Sequence, residues 1–199
     1  MTIELSRRER KKEETRTRIF RAAIRLFRDR GFESTTVDEI TERADVAKGT
    51  FFNYFPRKES VLAYLSEMRL DEAMESASAI LDSKQSAREK LLELMTTAVE
   101  VYETDRELSR FVMVNLLQRA FGPEEEVGQR WQKLVVQFIA HGQATGELRR
   151  DLDPERAALV LRSVSLSTVF MWAACPEATF RLPDEVRDRL SLVLDGIAA

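Results

Sequence analysis

Residues 35–58, TTVDEITERADVAKGTFFNYFPRK, hold two helix-length segments joined by a very short corner. Thr36 and Glu39 have the spacing of a capping box, which predicts a helix with Val37, Ile40 and Ala44 facing inward. Small residues at Ala44, Ala47 and Gly49 let two backbones approach, and Val46 plugs the corner into a core. A second helix is expected from about Lys48 to Tyr54, with Phe51 and Phe55 four apart and directed at a bracing helix. Pro56 breaks the chain, and the next helix is expected to open at Arg57 or Lys58. The brace lies upstream. Ser6 and Glu9 again have capping-box spacing, Ile19, Ala23, Leu26 and Phe27 share a face, and Gly31 is a stop signal.

The rest of the 199 residues also reads as helix, with scarce glycine and proline and no alternating strand pattern. Helices are expected toward Leu81, over residues 86–104, over residues 106–121, from Pro123 to His141 or Thr145, from Asp153-Pro154 through Cys175, and from Pro183 or Asp184 to about Ile197. Glu124, Glu125 and Glu126 suit the positive end of a helix dipole better than a carboxylate site. The expectation is an all-α protein. Hydrophobic content of 44% and charged content of 33% suit a soluble globular chain. No run approaches a membrane span on this reading, so no membrane partner is expected. MTIELSRRERKKEETR has no apolar core and is not a secretory signal. Cys175 and His141 are the single cysteine and histidine, so disulfides, zinc cages and Ser-His or Cys-His catalysis have little support. No catalytic residue, metal or cofactor is assigned, a reducing cytoplasm is the natural compartment, and Cys175 reads as a small buried residue.

Charge is uneven. Residues 1–60 carry 15 Lys/Arg and 11 Asp/Glu, net +4, and the remainder carries 16 and 23, net −7. A basic front and an acidic back point to nucleic acid at one end. A helix-turn-helix offers the end of its second helix to the DNA major groove. Thr50 suits a base edge or a thymine methyl, while Asn53 suits adenine if it points into the groove and a phosphate if it does not. Tyr54 has a ring for packing and a hydroxyl for a phosphate, and Lys58 with the adjoining helix N–H groups would form an anion site. The arm Arg7, Arg8, Arg10, Lys11 and Lys12 is either an extra DNA contact or a solvated end interleaved with Glu9, Glu13 and Glu14.

This segment resembles the DNA-binding domain of the tetracycline-repressor (TetR) family. The resemblance rests on Ala22-Ala23, Leu26-Phe27, Gly31-Phe32, Thr35-Thr36-Val37, Ile40, Ala44, Val46, Lys48-Gly49-Thr50, Tyr54-Phe55 and Lys58-Glu59. It covers roughly residues 15–65; the remaining chain fits in length and helical character. It implies a helix-turn-helix domain over residues 1–57, with the basic arm 1–14, and a helical effector-binding and dimerisation domain over residues 58–199. It further implies a homodimer on an inverted-repeat, palindromic operator in double-stranded DNA. Lys48, Gly49, Thr50 and Phe52 would face bases, and Thr36, Tyr54 and Lys58 would hold phosphates. Phe52 either meets a thymine methyl or packs on the sugar-phosphate edge. Two positions depart from the family pattern. Asp45 stands where glycine is common, and Ala47 stands where a serine often caps the second helix. The missing cap, about 0.5–2 kcal/mol, predicts a helix loosely held until DNA orders it.

In the body, residues 157–174, AALVLRSVSLSTVFMWAA, are apolar around most of the helix and need cover on all sides. With Val186, Leu190, Val193, Leu194 and Ile197 of the last helix, they would form a four-helix seam in a homodimer, as the resemblance implies. Candidates for an effector pocket are Met95, Val99, Tyr102, Phe111, Val114, Leu117, Trp131, Phe138 and Trp172, with His141, Tyr102, Asn115 and Gln118 as polar groups. The resulting expectation is a transcriptional repressor released by a small, largely apolar effector that the sequence does not identify. The rival is a DNA-binding regulator without a small-molecule effector, controlled by a protein partner or by abundance. An enzyme is not expected, for want of a nucleophile–base pair, metal spacing or phosphate loop.

Overall fold

The computed structural model describes residues 6–120, 126–175 and 177–196, except for the side chains of residues 114–120 and 126. The expectations placed on residues 121–125 and on Ile197 lie outside this set, as do those on the side chains of Val114, Asn115, Leu117, Gln118 and Glu126. Nine helices are present among the described residues. They fall into two compact units that divide between Tyr64 and Leu65.

The first unit contains α1 (Arg7–Arg30), α2 (Val37–Ala44), α3 (Lys48–Tyr54) and the opening turns of α4 (Glu59–Asp82). Ser6 caps α1 through a complete capping box with Glu9, so Arg7 to Lys12 are the first turns of a helix and not an arm ahead of it. Gly31 ends α1 at φ 82°, a backbone state that side chains disfavour. Thr36 and Glu39 form the second capping box and open α2. Asp45 takes left-handed geometry at the corner, φ 50° and ψ 56°, so aspartate fills the position where glycine is common. Ala47 gives α3 no side-chain cap. Ile19, Phe27, Ile40, Phe51 and Phe55 are almost completely buried and make the core of this unit. The Tyr64 ring meets Phe20 edge-on at 5.1 Å, and the Arg16 guanidinium lies 3.9 Å from its centroid.

The opening of α4 falls at Glu59 and not at Arg57 or Lys58. Ser60 N–H and Val61 N–H bond to the carbonyls of Arg57 and Lys58, three residues back, in a tighter turn than an α-helix makes.

The second unit contains the rest of α4, then α5 (Ala87–Glu103), α6 (Arg106–Ala120), α7 (Glu126–Thr145), α8 (Pro154–Ala174) and α9 (Leu182–Asp195). α5 packs on α7 and α9, and α8 packs on α6, α7 and α9. Helix ends are closed by partners distant in sequence. Lys90 Nζ donates to Leu81 O at 2.7 Å, Ala87 N–H to Glu147 Oε2 at 2.7 Å and Leu182 N–H to Glu103 Oε1 at 2.7 Å. The last bond starts α9 at Leu182, ahead of Pro183. The Arg106 guanidinium donates to the carbonyls of Trp172, Cys175 and Ala178 and stacks 4.7 Å from the Trp172 ring centroid.

Two expectations are corrected here. α8 has 21 residues with a most apolar window of mean hydropathy 1.5, so among the described residues one helix is long and apolar enough to cross a membrane. Its apolar content is accounted for in part by the four helices packed on it, α5, α6, α7 and α9. Cys175 is exposed, not buried, because it caps the end of α8, where its Sγ lies 3.2 Å from Glu177 Oε2.

Candidate DNA-reading surface and internal cavity

In the first unit, α3 divides its side chains sharply. Phe51 and Phe55 enter the core, while Phe52 is 44% exposed and Lys48, Gly49 and Asn53 are exposed beside it. Thr50 and Tyr54 are half-buried at the edges. A Cβ added at Gly49 would meet nothing within 4 Å, so the fold itself does not require glycine there. Lys48 Nζ pairs with Asp38 at 2.7 Å, with both side chains exposed. Sequence reading missed Asp38, whose only signal was its place in the first turn of α2. Thr36 uses its hydroxyl in the capping box, accepting from Glu39 N–H and donating to Glu39 Oε2 at 3.0 Å. The backbone and side-chain hydrogen bonds from Thr36, with the nearby Arg30 guanidinium, hold the Glu39 carboxyl below its ordinary pKa.

Lys58 is placed differently from the expectation of an outward phosphate ligand. Its ammonium donates to Phe32 O at 2.7 Å and Thr35 O at 3.0 Å, with Glu33 O at 3.4 Å, and lies 4.3 Å from the Phe32 ring centroid. The α1–α2 turn exposes carbonyl ends, and a cation is what such ends attract. Lys58 thus fixes the turn that carries Thr36.

In the second unit, a cavity of about 110 Å³ is bordered by α4, α5, α7 and α8. Four of the candidates, Met95, Val99, Tyr102 and Trp131, line it together. Phe111, Phe138, His141 and Trp172 are not among its lining; Phe138 and Trp172 are buried elsewhere, Trp172 under Arg106, and Phe111 and His141 are half-buried. Sequence reading missed the polar members Ser66, Arg69, Arg162 and Ser165. Arg69 lies 4.9 Å from the Tyr102 ring centroid. Burial raises the Tyr102 pKa, so its hydroxyl stays protonated and able to donate; Arg69 opposes that shift. Beside the cavity, Arg130 Nη2 pairs with Asp71 Oδ1 at 2.6 Å and ties α7 to α4. Among the described residues no group of three or more His, Cys, Asp or Glu is placed to hold a metal ion.

Comparison with known proteins gives this arrangement a context. Residues 19–65 match the family model described as bacterial regulatory proteins, tetR family. A transcriptional repressor of that family from Thermus thermophilus, FadR, solved in complex with lauroyl-CoA, is 30% identical with a TM-score of 0.75, covering 91% of this chain and 94% of its own. The transcriptional repressor KstR2 of Rhodococcus jostii is 26% identical over 188 residues, 92% of this chain and 91% of that protein. FadR of Bacillus subtilis, solved with stearoyl-CoA, shares the fold at 22% identity and a TM-score of 0.71, over 91% of this chain and 98% of its own. The all-α chain with its helix-turn-helix is a DNA-binding transcriptional regulator, and it belongs to the TetR family.

Proposed function

We propose that this regulator is a homodimeric repressor that leaves an inverted-repeat operator when an apolar molecule with a polar head enters the body of each copy. The observation that carries the DNA-reading part is the division of α3, where Phe51 is wholly buried and its neighbour Phe52 is 44% exposed. An aromatic ring left in solvent beside Lys48, Thr50 and Asn53 suits a base-reading face. Gly49 would give that face close approach, Thr36 and Tyr54 would contact phosphates, and Lys58 would hold the turn that presents them. The head is read as residues 1–57 and the body as residues 58–199, joined through α4.

The dimer reading has its own support. Leu159, Val160, Phe170 and Met171 of α8 and Leu192 of α9 are exposed, Leu192 at 76%. An apolar face of this kind suits a second copy in a four-helix seam. Such a seam would hold two reading helices about 34–36 Å apart, one turn of duplex. A protein that binds an operator in this way would work in the cytoplasm.

For the effector, the described cavity lining combines apolar side chains with Arg69, Arg162 and Tyr102. That chemistry suits an acyl chain with an anionic or carbonyl head, and the T. thermophilus relative holds lauroyl-CoA. The cavity is smaller than the roughly 300–1,000 Å³ of ordinary ligand pockets. A long acyl chain therefore has to part α4 from its neighbours, straining the Asp71–Arg130 pair and moving the helix that begins beside Lys58. Only the difference in ligand affinity between the two states drives release, and a coupling of about 1–3 kcal/mol is typical. The same small volume favours the second reading, a regulator without a small-molecule effector. Operator fragments found by genomic footprinting, titrated with lauroyl-CoA at fixed salt, decide between them. Release with a matching thermal stabilisation supports the first reading; operator binding indifferent to acyl-CoA leaves the second.

A further inference from the structure

We infer that Ser165 selects the effector, its hydroxyl making a hydrogen bond to an oxygen atom carried inside the cavity by an otherwise apolar ligand. The inference rests on the effector reading above. Four hydroxyl side chains lie on α8, and three of them turn back to their own helix. Ser163 donates to Leu159 O at 2.8 Å, Ser167 to Val164 O at 2.9 Å and Thr168 to Val164 O at 2.7 Å. That back-bond is the ordinary resting place of a serine or threonine inside a helix. Ser165 does not make it. Its Oγ is withdrawn from solvent with no hydrogen-bond partner among the described residues, the residue is only 7% exposed, and it lines the cavity.

A buried hydroxyl without a partner costs free energy, so its position calls for a function. Along α8 the lining runs from Arg162 through Ser165 to Leu166 and Val169. The hydroxyl thus stands between a cationic residue and apolar ones. A ligand matching that order has an anionic or strongly polar head, an oxygen close to it, and then hydrocarbon. Two sources supply such an oxygen, the carbonyl of an acyl thioester and a hydroxyl on the acyl chain.

The test compares the full-length wild type with Ser165→Ala, using lauroyl-CoA, 3-hydroxylauroyl-CoA and the thioether S-dodecyl-CoA, which lacks the carbonyl. Calorimetric affinities, operator release and thermal midpoints are the readouts. The expected result is a loss of about five- to tenfold in affinity for oxygenated ligands, no loss for the thioether, and an unliganded midpoint no lower than wild type. A loss for both acyl thioesters identifies the carbonyl, and a loss confined to the hydroxylated chain identifies the hydroxyl. Equal affinities of the two proteins for all three ligands overturn the assignment, as does a lowered midpoint with a parallel loss for all three. A wild type that binds none of them overturns the acyl-thioester reading itself, and this inference with it.

Discussion

The two units of this protein each use one cation to gather three backbone carbonyls, and the pair differ in how far along the chain they reach. In the first unit, Lys58 holds Phe32, Glu33 and Thr35, at most 26 residues away. In the body, Arg106 holds Trp172, Cys175 and Ala178, as many as 72 residues away. The first unit relies on short-range devices, two capping boxes and a left-handed corner, to which Lys58 and Tyr64 add longer ties, the Tyr64 hydroxyl donating to Glu13 Oε1 at 3.1 Å. The second unit has local caps at Ser86, Asp105 and Asp153 and adds to them ties between residues far apart in the chain. Glu103 caps the start of α9, Glu147 caps α5, and Arg88 and Arg187 join α5 to α9 through Asp195 and Glu89. A unit closed by local rules keeps its shape as a portable reading head. A unit closed by distant pairs has ends that respond together when one helix shifts.

The largest effect is expected at Arg106. Arg106→Ala leaves the carbonyls at the end of α8 without their guanidinium and uncovers Trp172, and should lower the stability of the body by about 3 kcal/mol in urea unfolding followed by tryptophan emission. Lys58→Met should lower the protection of the α1–α2 turn by about 2 kcal/mol in native-state hydrogen exchange. Unchanged protection with weakened operator binding would return Lys58 to the role of a phosphate ligand. Ala47→Ser supplies the side-chain cap that α3 lacks and should raise the protection of α3 by about 1 kcal/mol, with little change in α2, which already has its cap.

Gly49→Ala should leave the free head as stable or more stable, by up to about 1 kcal/mol, since the added methyl meets open space. The same change should weaken operator binding in a gel-shift titration if Gly49 lies against the duplex; unaltered affinity would break that part of the interface. The smallest effect concerns acid. Glu9 is held below its ordinary value of 4.5 by the Ser6 side-chain and backbone bonds, and Glu39 by those from Thr36. A depressed carboxylate stabilises the fold above its unfolded pKa, and that contribution is lost as pH falls through the lower folded value. Glu39→Gln should therefore flatten the loss of head stability below about pH 4.5, read as the slope of midpoint against pH.

The same contrast explains what the amino-acid order discloses. Ser6 with Glu9, Thr36 with Glu39, the stop at Gly31, the uncapped Ala47 and the inward Phe51 and Phe55 are all legible, because each depends on residues within one or two helical turns. Helix boundaries in the body are legible for the same reason, as at Ser86 and Asp153. The cavity is only partly so. Met95, Val99 and Tyr102 share one face of α5 by spacing alone, but nothing local to Ser66, Arg69, Arg162 or Ser165 reveals that they converge on it. Helical spacing puts Ser165 on the buried face of α8 with Leu161 and Val169, but it does not disclose that Thr168 bonds back to its own helix and Ser165 does not. Lys58 misleads for a related reason, since its position at a helix start suits an anion and only the packed turn shows the carbonyls it meets.

The size of the cavity has a bearing on timing. If the proposed effector enters this small cavity only after the helices part, it would do so at the rate of that opening, below the rate of encounter. A regulator gated in this way would answer slowly to a brief pulse of metabolite and fully to a sustained one. The tightness of the resting chamber would then filter fluctuations in supply, with the delay set by how seldom the helices around it part.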